Sequence, residues 1–213
     1  AVMIDAATYA VHGAVATGKE PAHIVFSTDG TTAYATDGDD DTVTAIDTAS
    51  MEVVATIPVG AYPHGLRPSP DGRWVYVANA RGTTLSVIDT ATNEKVADVE
   101  VGKNPVQVGF SPDGRFVYFS LNGENAIGKV DVETRRVVGK VAVGVGPIQV
   151  FVTPDDRWDN DMLRELRDVV GSDFEAVDVS SLMGDPDSGQ VGGDVGPGTS
   201  APLTINFLET AGS

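Results

Sequence analysis

The stretch that decides the fold is Pro70-Asp71-Gly72-Arg73-Trp74-Val75-Tyr76-Val77-Ala78-Asn79-Ala80-Arg81-Gly82-Thr83-Thr84-Leu85-Ser86-Val87-Ile88-Asp89-Thr90. Two runs rich in β-branched and aromatic residues, Trp74-Val75-Tyr76-Val77 and Leu85-Ser86-Val87-Ile88-Asp89, each follow a turn signal, Pro70-Asp71-Gly72 and Arg81-Gly82. Both runs are therefore expected as short strands. In the first turn, proline fixes φ, Asp bonds its own backbone and Gly supplies a positive φ, so the chain reverses tightly. Gly65-Leu66-Arg67 before this stretch and Lys95-Val96-Ala97-Asp98-Val99 after it complete a unit of four strands.

Outward from that unit the same landmarks return at a constant interval of 42 residues: Pro21, Pro63, Pro105 and Pro147, then Gly18, Gly60, Gly102 and Gly144. Asp29, Asp71, Asp113 and Asp155 share a second phase, and Asp5, Asp47, Asp89 and Asp131 a third, each of these last preceded by Ile or Val. Four strands in a repeat of this length match a β-propeller blade. Helical repeats are excluded, because they need apolar spacings of three and four and do not tolerate this density of β-branched residues and Asp-Gly turns. The expected fold class is all-β, a partial or small propeller of four-stranded blades, with a short helix-containing C-terminal extension.

Trp74-Val75-Tyr76-Val77-Ala78-Asn79, with Leu85-Ser86-Val87-Ile88-Asp89-Thr90 and Val101-Gly102-Lys103-Asn104-Pro105, resembles the YVTN-type β-propeller repeat over about residues 1–157. The resemblance implies a protein from outside the cytoplasm, periplasmic or at the cell surface. Such proteins include surface-layer and adhesion proteins, periplasmic binding proteins and accessory factors of redox enzymes. Fold does not fix function among them.

The chain has 31 acidic and 14 basic residues, a formal net charge of −17. That field repels phosphate backbones and anionic lipid, so nucleic acid and membrane surfaces are excluded as main partners. Without cysteine, the given chain can form neither a disulfide nor a thiolate nucleophile. No apolar run approaches the roughly 20 residues a membrane helix needs, so no membrane insertion is expected.

Complete units run 21–62, 63–104 and 105–146, with the last two strands of an earlier blade at 1–20 and the first strand of a later one at 147–153. Propellers usually have about four to eight blades, so the arc is open. Further blades beyond the chain, closure within it, or self-association of arcs would each remove exposed strand edges. From residue 158 the repeat lapses into an extension. A helix is expected near 160–170, a Gly/Pro/Asp-rich linker at 184–201 and a terminal strand at 202–209.

No phosphate-binding glycine loop, nucleophile elbow or paired metal-ligand helix occurs, so no catalytic residue is named and the balance is against an enzyme. His23 and His64 follow recurring prolines at the start of the innermost strand, with Gln107 and Gln149 at matching places. These four would ring the channel mouth and hold a polar ligand or a transition metal, or hydrogen-bond between blades. Arg67 would add positive charge there for an anion, or pair with a carboxylate. Asp37, Asp39 and Asp41 lie in the densest acidic loop, a set of oxygen ligands suited to Ca²⁺ or simply a solvated loop. Trp74 and Trp158 read as core residues and His12 as a surface residue. No cofactor is expected apart from these two metal readings. The functional expectation is a non-enzymatic scaffold for a protein or small polar ligand; the alternative is a metal- or cofactor-binding redox enzyme or accessory protein using the channel mouth.

Overall fold

The computed structural model describes residues 1–152 in full, together with the backbone pairing of the strands Phe174–Asp178 and Thr204–Leu208. The chain divides into two compact units, Ala1–Gln107 and Val108–Ser213. The helix expected near 160–170, the linker expected at 184–201 and Trp158 lie outside the described residues.

The first unit opens with a two-stranded antiparallel sheet, β1 (Val2–Ile4) and β2 (Val11–Ala14). Two four-stranded antiparallel blades follow. One is β3 (Pro21–Phe26), β4 (Thr32–Asp37), β5 (Thr42–Asp47) and β6 (Glu52–Pro58). The other is β7 (Pro63–Pro68), β8 (Trp74–Asn79), β9 (Thr84–Asp89) and β10 (Glu94–Glu100). A third four-stranded sheet comprises β11 (Pro105–Phe110), β12 (Phe116–Leu121), β13 (Ala126–Asp131) and β14 (Arg136–Ala142). The second unit also holds a three-stranded sheet in which β17 (Thr204–Leu208) lies between β15 (Phe151–Val152) and β16 (Phe174–Asp178). The inner strand anticipated from residue 147 is ordered as strand only at Phe151–Val152.

The turns repeat atom by atom. Ser27, Ser69 and Ser111 each donate a hydroxyl to the Asp two residues on, Asp29 at 2.6 Å, Asp71 at 2.5 Å and Asp113 at 2.6 Å. The following Gly30, Gly72 and Gly114 have φ of 75°, 75° and 72°, which glycine adopts without a Cβ penalty. Asp47, Asp89 and Asp131 cap the third-to-fourth strand hairpins by accepting backbone N–H bonds from Ser50 (2.7 Å), Ala91 (2.8 Å) and Thr134 (2.7 Å). Each hairpin then takes one non-glycine residue into left-handed space, Met51 at φ 57°, Asn93 at 55° and Arg135 at 53°.

In the first unit the core packs Val25, Tyr34, Val43, Ala45, Ile57, Leu66, Val75, Val77 and Ile88. A second cluster, around Tyr118, Ile127 and Val150, serves the other unit. These residues come from alternate strand positions, as half-buried pleats require. Tyr34 anchors the seam between neighbouring blades by donating its hydroxyl to Asn93 Oδ1 at 2.7 Å. Burial, reinforced by Asp29 and Asp89, pushes its pKa up to about 12.

Candidate functional site

The inner strands β3 and β7 bring His23 and His64 together, ring centroids 4.6 Å apart and planes at 65°. The contact depends on one hydroxyl. Thr36 of β4, fully buried, accepts a bond from the His23 N–H at 3.0 Å and donates to the His64 carbonyl at 3.0 Å. It thereby fixes the backbones that carry both imidazoles. Sequence reasoning missed Thr36, although the 42-residue phase offers a signal: Ser120 in the second unit makes the corresponding bond, to the Ile148 carbonyl at 3.0 Å. Ala78 stands at that place between them.

The four residues anticipated as a ring do not share one phase. His23 lies two residues past its proline, in step with Gly65, Gln107 and Gln149, whereas His64 lies one past, in step with Ala22, Val106 and Ile148. At the place homologous to His23 the second blade therefore has no side chain. Gln107, nearly buried, occupies that space: a Cβ on Gly65 would collide with its amide and sit 2.5 Å from the Val106 carbonyl oxygen. The first unit so assembles His23, His64 and Gln107 around the Gly65 backbone. Gln149, half-buried, belongs to the second unit.

Burial lowers the His23 pKa below its ordinary value, and the positive fields of His64 and Arg67 lower it further. His64 Nδ1 is buried without a hydrogen-bond partner among the described residues, a costly state for a polar atom. Arg67, on β7 and half-buried, makes no ion pair or side-chain hydrogen bond among the described residues.

The acidic loop is differently built. Asp37 is fully buried at the end of β4 and accepts bonds from the Gly18 N–H (2.9 Å), Thr42 Oγ1 (3.1 Å) and Thr44 Oγ1 (2.6 Å). Asn79 holds the same place in the next blade, where its Oδ1 accepts from Gly60 N–H at 3.2 Å and its Nδ2 donates to Thr84 and Ser86. Both side chains latch the incoming connection to the second and third strands. Asp39 faces Arg81 at 3.2 Å, and Asp41 accepts the Tyr62 N–H at 2.8 Å. An amide again suffices for that last role, since Asn125 accepts the Gly146 N–H at 3.0 Å. The three carboxylates thus turn to three different partners, and among the described residues no group of three or more His, Asp or Glu is arranged to hold a metal. Trp74 lies half-buried beneath the Arg73 guanidinium, 5.1 Å from its ring centroid. His12 is exposed, 3.8 Å from Asp5.

Antiparallel four-stranded blades, repeated turn chemistry and inner strands converging on a polar cluster define a β-propeller protein. The YNCE-like β-propeller family matches residues 37–181, and the chain belongs to it; this is a propeller family related to the YVTN-type repeat that the sequence resembles. Among solved structures the chain is similar to a Kuenenia stuttgartiensis hydrazine synthase chain, with 28% identity and a TM-score of 0.66 over 73% of this chain. It spans 46% of that chain. No curated protein matches. Among the described residues no helix is long and apolar enough to cross a membrane.

Proposed function

We propose that this chain is a non-enzymatic binding module, acting outside the cytoplasm, whose ligand meets the inner strands at His23, His64 and Arg67. One observation carries the reading. A buried hydroxyl pins the backbones that carry two imidazoles in ring contact, and a rigid polar cluster of this kind suits recognition because little ordering remains to be done on binding. Proteins of the YVTN-type repeat, which the sequence resembles, support the extracytoplasmic placement. Partners of this reading are a small polar ligand or a protein, with self-association completing the ring of blades.

A second reading rests on the likeness to a hydrazine synthase chain: a redox enzyme subunit or accessory protein that holds a transition metal at the histidine pair. Light scattering together with multi-element metal analysis on one purified sample separates them. The binding-module reading expects no stoichiometric metal. Metal retained at one equivalent, and lost from the His23→Ala/His64→Ala variant, would overturn it in favour of the second. A defined oligomer would support completion between chains.

A further inference from the structure

The 42-residue repeat lets one blade be compared with the next, place by place. In the blade β3–β6 an open pocket of about 500 Å³ is lined by Thr17, Asp40, Thr42, Thr44, Val53 and Thr56. The matching places in the blade β7–β10 are Val59, Gly82, Thr84, Ser86, Lys95 and Asp98. There the blade supplies its own occupant: Lys95 donates its ammonium to Asp98 at 2.7 Å, and Ser86 donates its hydroxyl to the same carboxylate at 2.6 Å. Val53 and Thr56 leave that charged pair out of the first blade.

The hydroxyls of the two blades also point in opposite directions. Asn79 Nδ2 donates to Ser86 at 3.0 Å, so Ser86 accepts from within and donates outward. Asp37 replaces that amide, and Thr42 and Thr44 donate inward to its Oδ2 at 3.1 and 2.6 Å. A threonine hydroxyl has one hydrogen, so both oxygens are left with only lone pairs for the pocket. Two carboxylates converge behind them. A Cβ placed on Gly18 would lie 2.7 Å from Asp37 Cγ and 2.9 Å from Asp40 Oδ2. Lys19 meets Asp40 at 3.0 Å, and no cation pairs with Asp37 among the described residues.

We propose that this pocket binds a small ligand through a primary ammonium group, a site additional to the histidine pair. An ammonium is compact, offers three donors and accepts nothing, which matches the outward oxygens of Thr42 and Thr44. Asp37, Asp40 and a net charge of −17 supply the field that draws it in. The ligand takes the place that Lys95 fills in the neighbouring blade. An anion would meet both carboxylates and no cation among the lining residues. A metal ion would need more ligands than the pocket brings, since no group of three or more His, Asp or Glu is arranged for one among the described residues.

The test is ¹H–¹⁵N amide NMR of the full chain, with n-butylammonium chloride, the lysine side chain without its backbone, against sodium chloride at equal ionic strength. The expected result is a saturable shift of the Gly18, Thr42 and Thr44 amides. Asp37→Asn should turn the hydroxyls outward as in the next blade and weaken binding about 10–100-fold, the range for hydrogen bonds to a charged group. Val53→Lys/Thr56→Asp rebuilds the neighbour's ion pair inside the pocket and should abolish binding. Native amide spectra for both variants guard against misfolding. Binding that is unaltered in Asp37→Asn and in the double variant overturns the inference. Tighter binding of glycerol or Ca²⁺ than of n-butylammonium at these amides overturns the ammonium class, and no saturable shift with any of the three overturns the site itself.

Discussion

Replacing Thr36 with valine removes one oxygen and keeps the branched shape of the side chain. In the native protein that oxygen accepts the His23 N–H and donates to the His64 carbonyl, both at 3.0 Å, inside a site with no solvent exposure of Thr36. The substitution leaves a donor and an acceptor facing a methyl group. Each orphan of this kind costs about 1–3 kcal/mol when shut from water, and partial access at the half-buried histidines places the total near ~2 kcal/mol. For a chain of this size that corresponds to a fall in Tm of about 4–8 °C. Urea unfolding read by tryptophan fluorescence should show a lower midpoint at unchanged slope. Thr36→Ser keeps the hydroxyl and should lie close to the native protein. If the valine variant proves as stable as the serine variant, the hydroxyl does not bridge the two strands and the account of the histidine pair fails.

Asp37→Asn should be tolerated within about 1 kcal/mol, since Asn79 performs the same latch, whereas Asp37→Ala strands the Gly18 N–H and the Thr44 hydroxyl and should cost about 2–4 kcal/mol; equal losses in urea melts would refute the latch. Gly65→Ala drives a Cβ into the Gln107 amide and should cost about 1–3 kcal/mol as an overpacked site, with His64 signals displaced in the NMR spectrum. A neutral outcome for Gly65→Ala in both measurements would contradict the described packing. Stability should also fall with acid in two stages. The His23 pKa is lowered from 6.5, so the unfolded chain takes up its proton first and stability declines as pH drops below that value. Asp29, lowered from 3.8 first by the Ser27 hydroxyl, and Asp71 and Asp113, where burial raises the pKa but the Ser69 or Ser111 hydroxyl, the Arg73 or Arg115 N–H and that arginine's charge together lower it further, contribute fully above 3.8 and lose their contribution as pH falls through the lowered values. Urea midpoints across the acid range should show both declines, and His23→Gln should remove only the first.

The blades were legible because a turn residue acts locally. Asp71 bonds its own loop, Gly72 adopts φ 75°, and no distant contact is needed to recognise either in the sequence. Strand positions followed from the β-branched and aromatic runs, although the strand expected at Trp74–Val77 extends to Asn79 and the one expected at Leu85–Asp89 begins at Thr84. What escaped was long-range. Asp37 looked like part of an acidic loop because Asp39, Asp40 and Asp41 follow it; only alignment against Asn79, with Thr44 against Ser86 and Gly18 against Gly60, marks it as a buried latch. The histidine pair was found for an imperfect reason. Proximity to the recurring prolines suggested one ring, whereas the contact arises from two different phases, joined by Thr36 and made roomy by Gly65.

That one-residue offset carries a consequence for how such a chain can diversify. The turns recur in each of the three four-stranded blades, and the latches of Asp37 and Asn79 in the first two, with Leu121 at that place in the third; they hold the strands in place regardless of what the inner positions carry. Residues 22–23, 64–65 and 106–107 read Ala-His, His-Gly and Val-Gln, so each copy writes a different two-letter word on the same frame. Shifting an imidazole by one position, or deleting a side chain to admit a neighbour's amide, rewrites the vocabulary without moving an element. Tandem duplication thus yields a ready alphabet of pockets, and exchanging these dipeptides among blades is the direct route to retargeting the protein.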